Sequence, residues 1–468
     1  MKYLTKAQIE LTEIKELQLD RELRPFQYTD ATMQERYENI QYLMHQENLD
    51  ALVIYGDLEH GGNFEYFTGF VTRFEEGVLV IHKTGKNYLL LGNENLNKAE
   101  KARIPVEAIH VPHFSLPNQP MENDQPLAKY FEAAELTSNM QVGVVGWKLF
   151  ISQFANYREV FDLPNYLIQA LDEVVGLNNL SNRTDLLIGG ACGVRTTNNA
   201  NEIAHYEFGA QLASLGMSRA LAKFDLHVSE MEIGHVLNQF GQRPNVVTIA
   251  ATGERFELAN IYPTDKKVRL GDPVSLTIGY KGGLSSRAGY AVNNEYELPS
   301  DVSDYLDVLA KPYYATVVNW LENIRLGMSG GELYQFIESV FPKAEYGWHL
   351  NPGHLTADEE WLSSPIYPHS TERLRSGMIL QIDIIPSRPG YAGTSCESGI
   401  ALADAVLRAE IKAAYPELYQ VFKERRQYLK EVLNIDLPKE VLPMNDTVAY
   451  YRPFFLAKNL GLKKARSN

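Results

Sequence analysis

Cysteine is nearly missing: Cys192 and Cys396 are the only two in 468 residues. Two thiols cannot build a disulfide framework. Both read as small, partly buried residues rather than nucleophiles, and at Cys396 the neighbouring Glu397 disfavours the thiolate. Long apolar runs are missing too; none approaches the roughly 20 residues that span a bilayer. The opening Met1-Lys2-Tyr3-Leu4-Thr5-Lys6 lacks an apolar signal core, so the expected location is cytoplasmic and no membrane partner is expected. Basic clustering is confined to Lys463-Lys464-Ala465-Arg466, while the formal net charge is −15. Such a surface repels phosphate backbones, which argues against nucleic acid as a partner. No repeat with a period of about 20 to 50 residues is visible, which excludes a solenoid.

What is present suits two domains with real cores, since 45% of the residues are hydrophobic. Residues 1–34 read as a charged lead-in, with one helix from Lys6 to Arg24 that Pro25 ends. From 35 to 185 helical and strand periods alternate. Glu35-Arg36-Tyr37 opens a helix, and strands follow near Leu52–Tyr55, Val78–Ile81, Tyr88–Leu91 and Val142–Val145. Turn residues make Pro117-Asn118-Gln119-Pro120 a loop. Gly189-Gly190 and the polar Arg195-Thr196-Thr197-Asn198-Asn199 punctuate a boundary between Arg183 and Asn199. Residues 186–468 should hold helices near 201–224, 229–241, 301–325 and 330–340, with strands near 246–250, 274–280, 378–384 and 396–402. Asp404 opens a further helix. Past Pro438, Pro443 and Pro453 the expectation is an extended tail on the surface or on a second subunit.

Several short motifs recur in a definite order. Gly271-Asp272-Pro273-Val274 leads into Ser275-Leu276-Thr277-Ile278-Gly279, a turn at Gly282-Gly283 and a returning run through Ala288-Gly289-Tyr290. Gly353-His354, Gly377-Met378-Ile379-Leu380-Gln381-Ile382-Asp383 and Gly393-Thr394-Ser395-Cys396-Glu397 follow. In the first half, Asn63-Phe64-Glu65-Tyr66-Phe67-Thr68-Gly69-Phe70 precedes Val78-Leu79-Val80-Ile81. This order, from residue 35 to about 400, resembles the pita-bread hydrolases, the family of methionine aminopeptidase, Xaa-Pro aminopeptidase, prolidase and creatinase. The resemblance implies an α/β N-terminal domain of creatinase type over 35–185 and an α+β pita-bread C-terminal domain over 186–468. It also implies a homodimer in which one N-terminal domain helps to close the other chain's pocket.

The resemblance sets an expected chemistry and shows what has been replaced. In the family's peptidases two aspartates, eleven positions apart, bridge two divalent metals; Thr277 and Ala288 stand there. Two catalytic histidines align with Asn260 and Trp361. His354, Asp383 and Glu397 occupy the remaining ligand positions, with Asp383 one methylene shorter than the usual glutamate. A metal pair needs bridging carboxylates to offset its own repulsion, so a dinuclear centre is not expected. One imidazole with two carboxylates is a ligand set for a single ion. The cofactor expectation is therefore none, or one divalent metal held by His354, Asp383 and Glu397.

Creatinase supplies a metal-free precedent in this fold, cleaving a C–N bond with a histidine and carboxylates. His354, Asp383 and Glu397 are accordingly the catalytic candidates, and Arg73, Asn260 and Arg287 the substrate-binding ones. Strand alternation turns Arg287 away from the pocket if Ala288 faces it, unless a bulge intervenes. For Arg73 the alternative is a solvated ion pair with Glu75 or Glu76. Three functions stand: a metal-independent or single-metal hydrolase of a C–N bond in a small molecule, such as a guanidino or amidino compound; a non-catalytic binding protein, or pseudoenzyme; and a conventional Xaa-Pro dipeptidase or aminopeptidase. The first is favoured. An active pocket should keep converging acids and bases, whereas a dead one fills with apolar side chains.

Overall fold

The computed structural model describes residues 3–19, 21–119, 121, 123–190 and 192–466. Met1 and Lys2 of the lead-in, and Pro120 of the predicted loop, lie outside them. The chain forms two compact units, one of residues 28–196 and one that joins residues 1–27 to 197–468.

In the 28–196 unit the apolar runs become a six-stranded sheet, in the order Glu107–His110, Asn87–Leu91, Gly77–His82, Ala51–Gly56, Val142–Val145, Leu180–Asn182. Ala51–Gly56 runs antiparallel to Gly77–His82 and parallel to Val142–Val145. These strands are buried along their whole length, which explains apolar runs without alternation. Helix Asp30–Gln46 is capped by Thr29, whose hydroxyl accepts the Thr32 N–H. Leu167, Leu171 and Val175 of helix Asn165–Val175 pack into the core formed by one face of the sheet. All four strands expected in this region are present.

The other unit contains two four-stranded sheets. One has the order Ser395–Glu397, Gly283–Tyr290, Pro273–Tyr280, Ile249–Thr252, and the other His354–Leu355, Ile379–Gln381, Gly399–Leu402, Val441–Pro443. The unit repeats itself in a way that the sequence hides. Helix Ala200–Lys223 is followed by helix Glu230–Leu237, and helix Lys311–Asn323 by helix Gly330–Val340. Ser229 with Glu232, and Ser329 with Glu332, form matching capping boxes. The intervening turns place His227 (φ 67°) and Gly327 (φ 77°) in the same left-handed conformation. The two halves share geometry and caps but few residue types, so no period shows in the sequence.

Two expectations are corrected. The described residues of 6–24, which leave out Asp20, do not form a helix: a 3-10 turn at Lys6–Gln8 gives way to a strand, Ile9–Glu13, that pairs with Leu460–Lys464. The separate lead-in thus becomes part of the larger unit, and its Leu4 N–H donates to Asn319 Oδ1 at 2.9 Å. Nor do the described residues after Pro438 form an extended surface tail. Val441–Pro443 joins a sheet, and Met444, Tyr450 and Tyr451 are buried. Asp404 caps helix Ala405–Ala414 as expected, accepting the Leu407 N–H.

Close packing of the long helix on the 273–290 hairpin depends on glycine. A Cβ at Gly209 would stand 1.9 Å from the Lys281 carbonyl oxygen, which is backbone and cannot swing aside. Gly209→Ala is therefore expected to destabilise the protein by about 1–3 kcal/mol through overpacking. Urea denaturation checks this, and an unchanged midpoint would disprove the contact.

Candidate functional site

The site is built where the two sheets of the larger unit bring their strands together. His354 opens the strand His354–Leu355 and is fully buried. Its Nδ1 lies 3.1 Å from the Leu355 carbonyl oxygen. A carbonyl only accepts, so Nδ1 carries the proton and Nε2 is left to face the site. Nε2 lies 3.2 Å from Glu360 Oε1 and 3.6 Å from Asp383 Oδ2. It meets hydrogen-bond geometry with neither, and Asp383 Oδ1 is likewise buried without a hydrogen-bond partner. Trp361 stacks on the imidazole, with ring centroids 4.2 Å apart and planes inclined by 19°.

Glu360 escaped the sequence reading. The chain after His354 folds back on itself, Leu355 pairing with Ser363, and this return carries Glu360 to the imidazole. Ligand-capable atoms of His354, Glu360 and Asp383 all lie within 4.8 Å of one another. The acidic run Asp358-Glu359-Glu360 was the available signal, but nothing local announces the return.

Glu397 stands in a different setting. Ser286 pairs across the strands with both Thr277 and Glu397. The Thr277 hydroxyl lies 2.8 Å from Ser286 Oγ, Ser286 Oγ lies 3.1 Å from Ser395 Oγ, and Ser395 donates to Glu397 Oε1 at 3.0 Å. The residue opposite Thr277 is thus Ser286, nine positions on, and not Ala288. A spacing of eleven would face Thr277 only across a turn two residues longer than Lys281-Gly282. Ala288 lies one pleat further along, opposite Ser275 and Ser395.

Electrostatics follow from burial. Burial works to lower the His354 pKa, but the Glu360 and Asp383 carboxylates outweigh it and hold the imidazole above its ordinary value. Burial, with the Glu360 charge added and the His354 charge opposing, pushes the Asp383 carboxyl up to about 6. Glu397 is raised well above the ordinary range, first by burial and then by the Asp383 charge. The residues are a fit for one divalent ion on three counts: an imidazole Nε2 turned toward two carboxylates, an Asp383 oxygen without a hydrogen-bond partner, and the Glu360 carboxylate beside them. They are not a fit for a pair, because Thr277, Ser286 and Ala288 offer no bridging carboxylate.

Of the three proposed substrate-binding residues, Arg287 and Asn260 belong to this unit and Arg73 to the other. Arg287 points to the opposite face from Ser286, as strand alternation without a bulge requires. Its guanidinium is buried and donates to the carbonyl oxygens of Ser286, Glu397, Thr447 and Tyr450 and, at 3.4 Å, to the Ser398 hydroxyl, so it has no donor to spare for a ligand. Asn260 is exposed in the loop after helix Glu254–Glu257, where its carbonyl accepts from Arg255. Arg73, in the 28–196 unit, is exposed with its guanidinium 4.8 Å from the Phe74 ring centroid. Glu75 beside it is buried, accepting from the Glu94 N–H and the Asn95 amide.

Comparison with known proteins agrees with this architecture. Residues 36–175 match the family model of the creatinase/prolidase N-terminal domain. No curated protein sequence matches the chain. Among solved structures, the prolidase from Pyrococcus horikoshii OT3 is similar with a TM-score of 0.60 at 18% identity, over 79% of this chain and 95% of that one. The Xaa-Pro dipeptidase from Bacillus anthracis gives 0.59 at 17% identity, over 80% and 96%. Zinc-substituted aminopeptidase P from E. coli, in complex with product, gives 0.55 at 15%, over 83% and 99%. Identities this low carry the fold and leave the activity open. The chain has the pita-bread fold of these structures, and its residues 36–175 match the creatinase/prolidase N-terminal domain.

Proposed function

We propose that the site belongs to a hydrolase of C–N bonds in small molecules that works with one divalent ion at most. The observation that carries this reading is the convergence of His354, Glu360 and Asp383 beside a polar floor. Hydrogen bonds link Thr277, Ser286, Ser395 and Glu397, and the Asp383 charge acts on Glu397. A pocket that had lost its chemistry would have filled with apolar side chains. His354, Glu360 and Asp383 would hold the ion, which when bound polarises a carbonyl or lowers the pKa of water. Without it, the same imidazole carries a proton between two carboxylates and can deliver it to a leaving nitrogen. Three acids around one imidazole also favour a substrate with a delocalised cationic head, such as a guanidino or amidino group.

Metal analysis tests the reading. Protein titrated with Mn2+ or Zn2+ should bind no more than one ion per chain, and Asp383→Asn and Glu360→Gln should each weaken that ion by about 10–100-fold or more. Two ions per chain would overturn it. Xaa-Pro dipeptides should remain uncleaved with excess Mn2+ or Co2+, since no bridging carboxylates hold a pair. Chelator-sensitive cleavage of such dipeptides would return the chain to the conventional peptidases. A second reading, as a non-catalytic binding protein, draws on the complete burial of His354 beneath Trp361. Absence of turnover across a panel of amides, ureides and guanidino acids would favour it.

A further inference from the structure

We propose that Asp358 is a positioning residue of the site: it clamps the loop after His354 so that Glu360 stands in place as the third ligand for a divalent ion. This rests on the reading of His354, Glu360 and Asp383 as the holders of a single ion.

The three groups are not supported alike. His354 opens a strand, and Asp383 comes two residues after the strand Ile379–Gln381, so both inherit their place from the sheet. Glu360 lies outside any strand, in the return between Leu355 and Ser363. Its carboxyl faces the imidazole at 3.2 Å, a contact that orients the tip of the side chain but cannot hold the loop. A ligand on a free loop must be ordered whenever the ion binds, and that cost is subtracted from the affinity.

The residues just before Glu360 are tied to three other segments of the same unit. The Asp358 side chain is 8% exposed, and its Oδ1 lies 3.1 Å from Lys281 Nζ, at the turn of the 273–290 hairpin. Its Oδ2 accepts from the Tyr206 hydroxyl of helix Ala200–Lys223 at 3.1 Å. Its carbonyl accepts from the Asn245 amide at 3.2 Å, and the Gly282 N–H donates to the Ala357 carbonyl at 2.7 Å. The Ala357 N–H and the Thr356 hydroxyl then both donate to the Glu359 carbonyl at 3.1 Å, closing a tight turn whose next residue is Glu360. An aspartate suits the post because each of its oxygens takes a donor from a different element. Lys281 is 39% exposed, so solvent screens its charge, and the less exposed Tyr206 contact carries more of the tie. Groups that orient a metal ligand from outside are worth about 10–100-fold in affinity.

Mn2+ titrated into the full chain, with the free ion followed by electron paramagnetic resonance, reads this affinity without a substrate. Asp358→Ala should weaken Mn2+ binding about 10-fold or more. In a Glu360→Gln background the same change should alter it by less than about twofold, because the ligand that Asp358 positions is already gone. An equal loss in both backgrounds overturns the inference, since it marks general damage to the site. So does an unchanged affinity when Asp358→Ala is made in the presence of Glu360. Should Asp358→Ala fail to fold, Tyr206→Phe removes one contact and carries the same cycle, with an expected loss of about two- to tenfold. A wild-type chain that binds no Mn2+ overturns the inference and leaves the ion-free form of the hydrolase reading standing. Two ions per chain, with the Asp358 effect confined to chains that keep Glu360, supports the inference and overturns that reading alone.

Discussion

Replacing Arg287 by methionine is expected to cost the protein about 2 kcal/mol or more of stability. Its guanidinium sends Nε to the Tyr450 carbonyl at 2.8 Å, Nη1 to those of Ser286 and Glu397 at 2.7 and 2.8 Å, and Nη2 to that of Thr447 at 2.6 Å. Methionine fills similar volume and donates nothing. Four buried carbonyls would lose this donor at once; that of Thr447 keeps the Tyr450 N–H and that of Glu397 the Ser398 hydroxyl, while each one left unsatisfied costs about 1–3 kcal/mol. Relaxation and entering water recover part of that sum, which is why the expected loss stays near the lower end. Lysine should not rescue, since a single ammonium cannot reproduce the planar fork that joins the strand Gly283–Tyr290 to residues 397 and 447–450. Chemical denaturation of the three proteins decides the matter. A methionine variant within about 1 kcal/mol of wild type would show that the carbonyls find other partners.

Glu397→Gln should have the opposite sign and should depend on pH. The folded protein raises the Glu397 carboxyl above its unfolded value, so above the unfolded pKa folding binds a proton that the open chain has released. Stability therefore falls with rising pH from the unfolded pKa up to the folded one, by at most about 1.4 kcal/mol for each pH unit. Asp383 adds to the slope between its ordinary value and about 6. His354, also raised, contributes stability that is complete below its unfolded pKa and is lost as pH climbs through the folded one. Glutamine keeps the shape and removes one of the three contributions. In chelator-treated protein the variant should melt several degrees above wild type at pH 8 and should approach it, or fall below, at pH 4. Parallel melting curves for the two proteins across that range would mean that Glu397 titrates normally.

Much of the architecture could be read from residue order, because buried strands leave apolar runs and helix ends leave caps. Leu52–Tyr55, Val78–Ile81 and Asp404 are of that kind. His354, Asp383 and Glu397 could also be picked out, since each sits at the end of a short motif. Their surroundings could not. Glu360 reaches His354 through a chain reversal with no repeating pattern, and Ser286 faces Thr277 because of a turn length that counting along the strand misjudged. Arg287 shows the reverse case. Its neighbour in sequence suggested a pocket, but alternation along the strand sends it to the other face. The helix assigned to residues 6–24 failed because Ile9 and Leu11 find a partner strand more than 440 residues away.

That distant pairing has a consequence for biosynthesis. Residues 28–196 are contiguous and can fold once they leave the ribosome. The larger unit cannot close this strand pair at that point, because Ile9–Glu13 waits for Leu460–Lys464, made more than 440 residues later. At roughly 5–20 residues per second, the interval is on the order of tens of seconds. During that time the nascent chain carries Ile9–Glu13 as an unpaired strand. A chain cut before Leu460 would lose that strand's partner for good and leave the edge open to pairing with other chains.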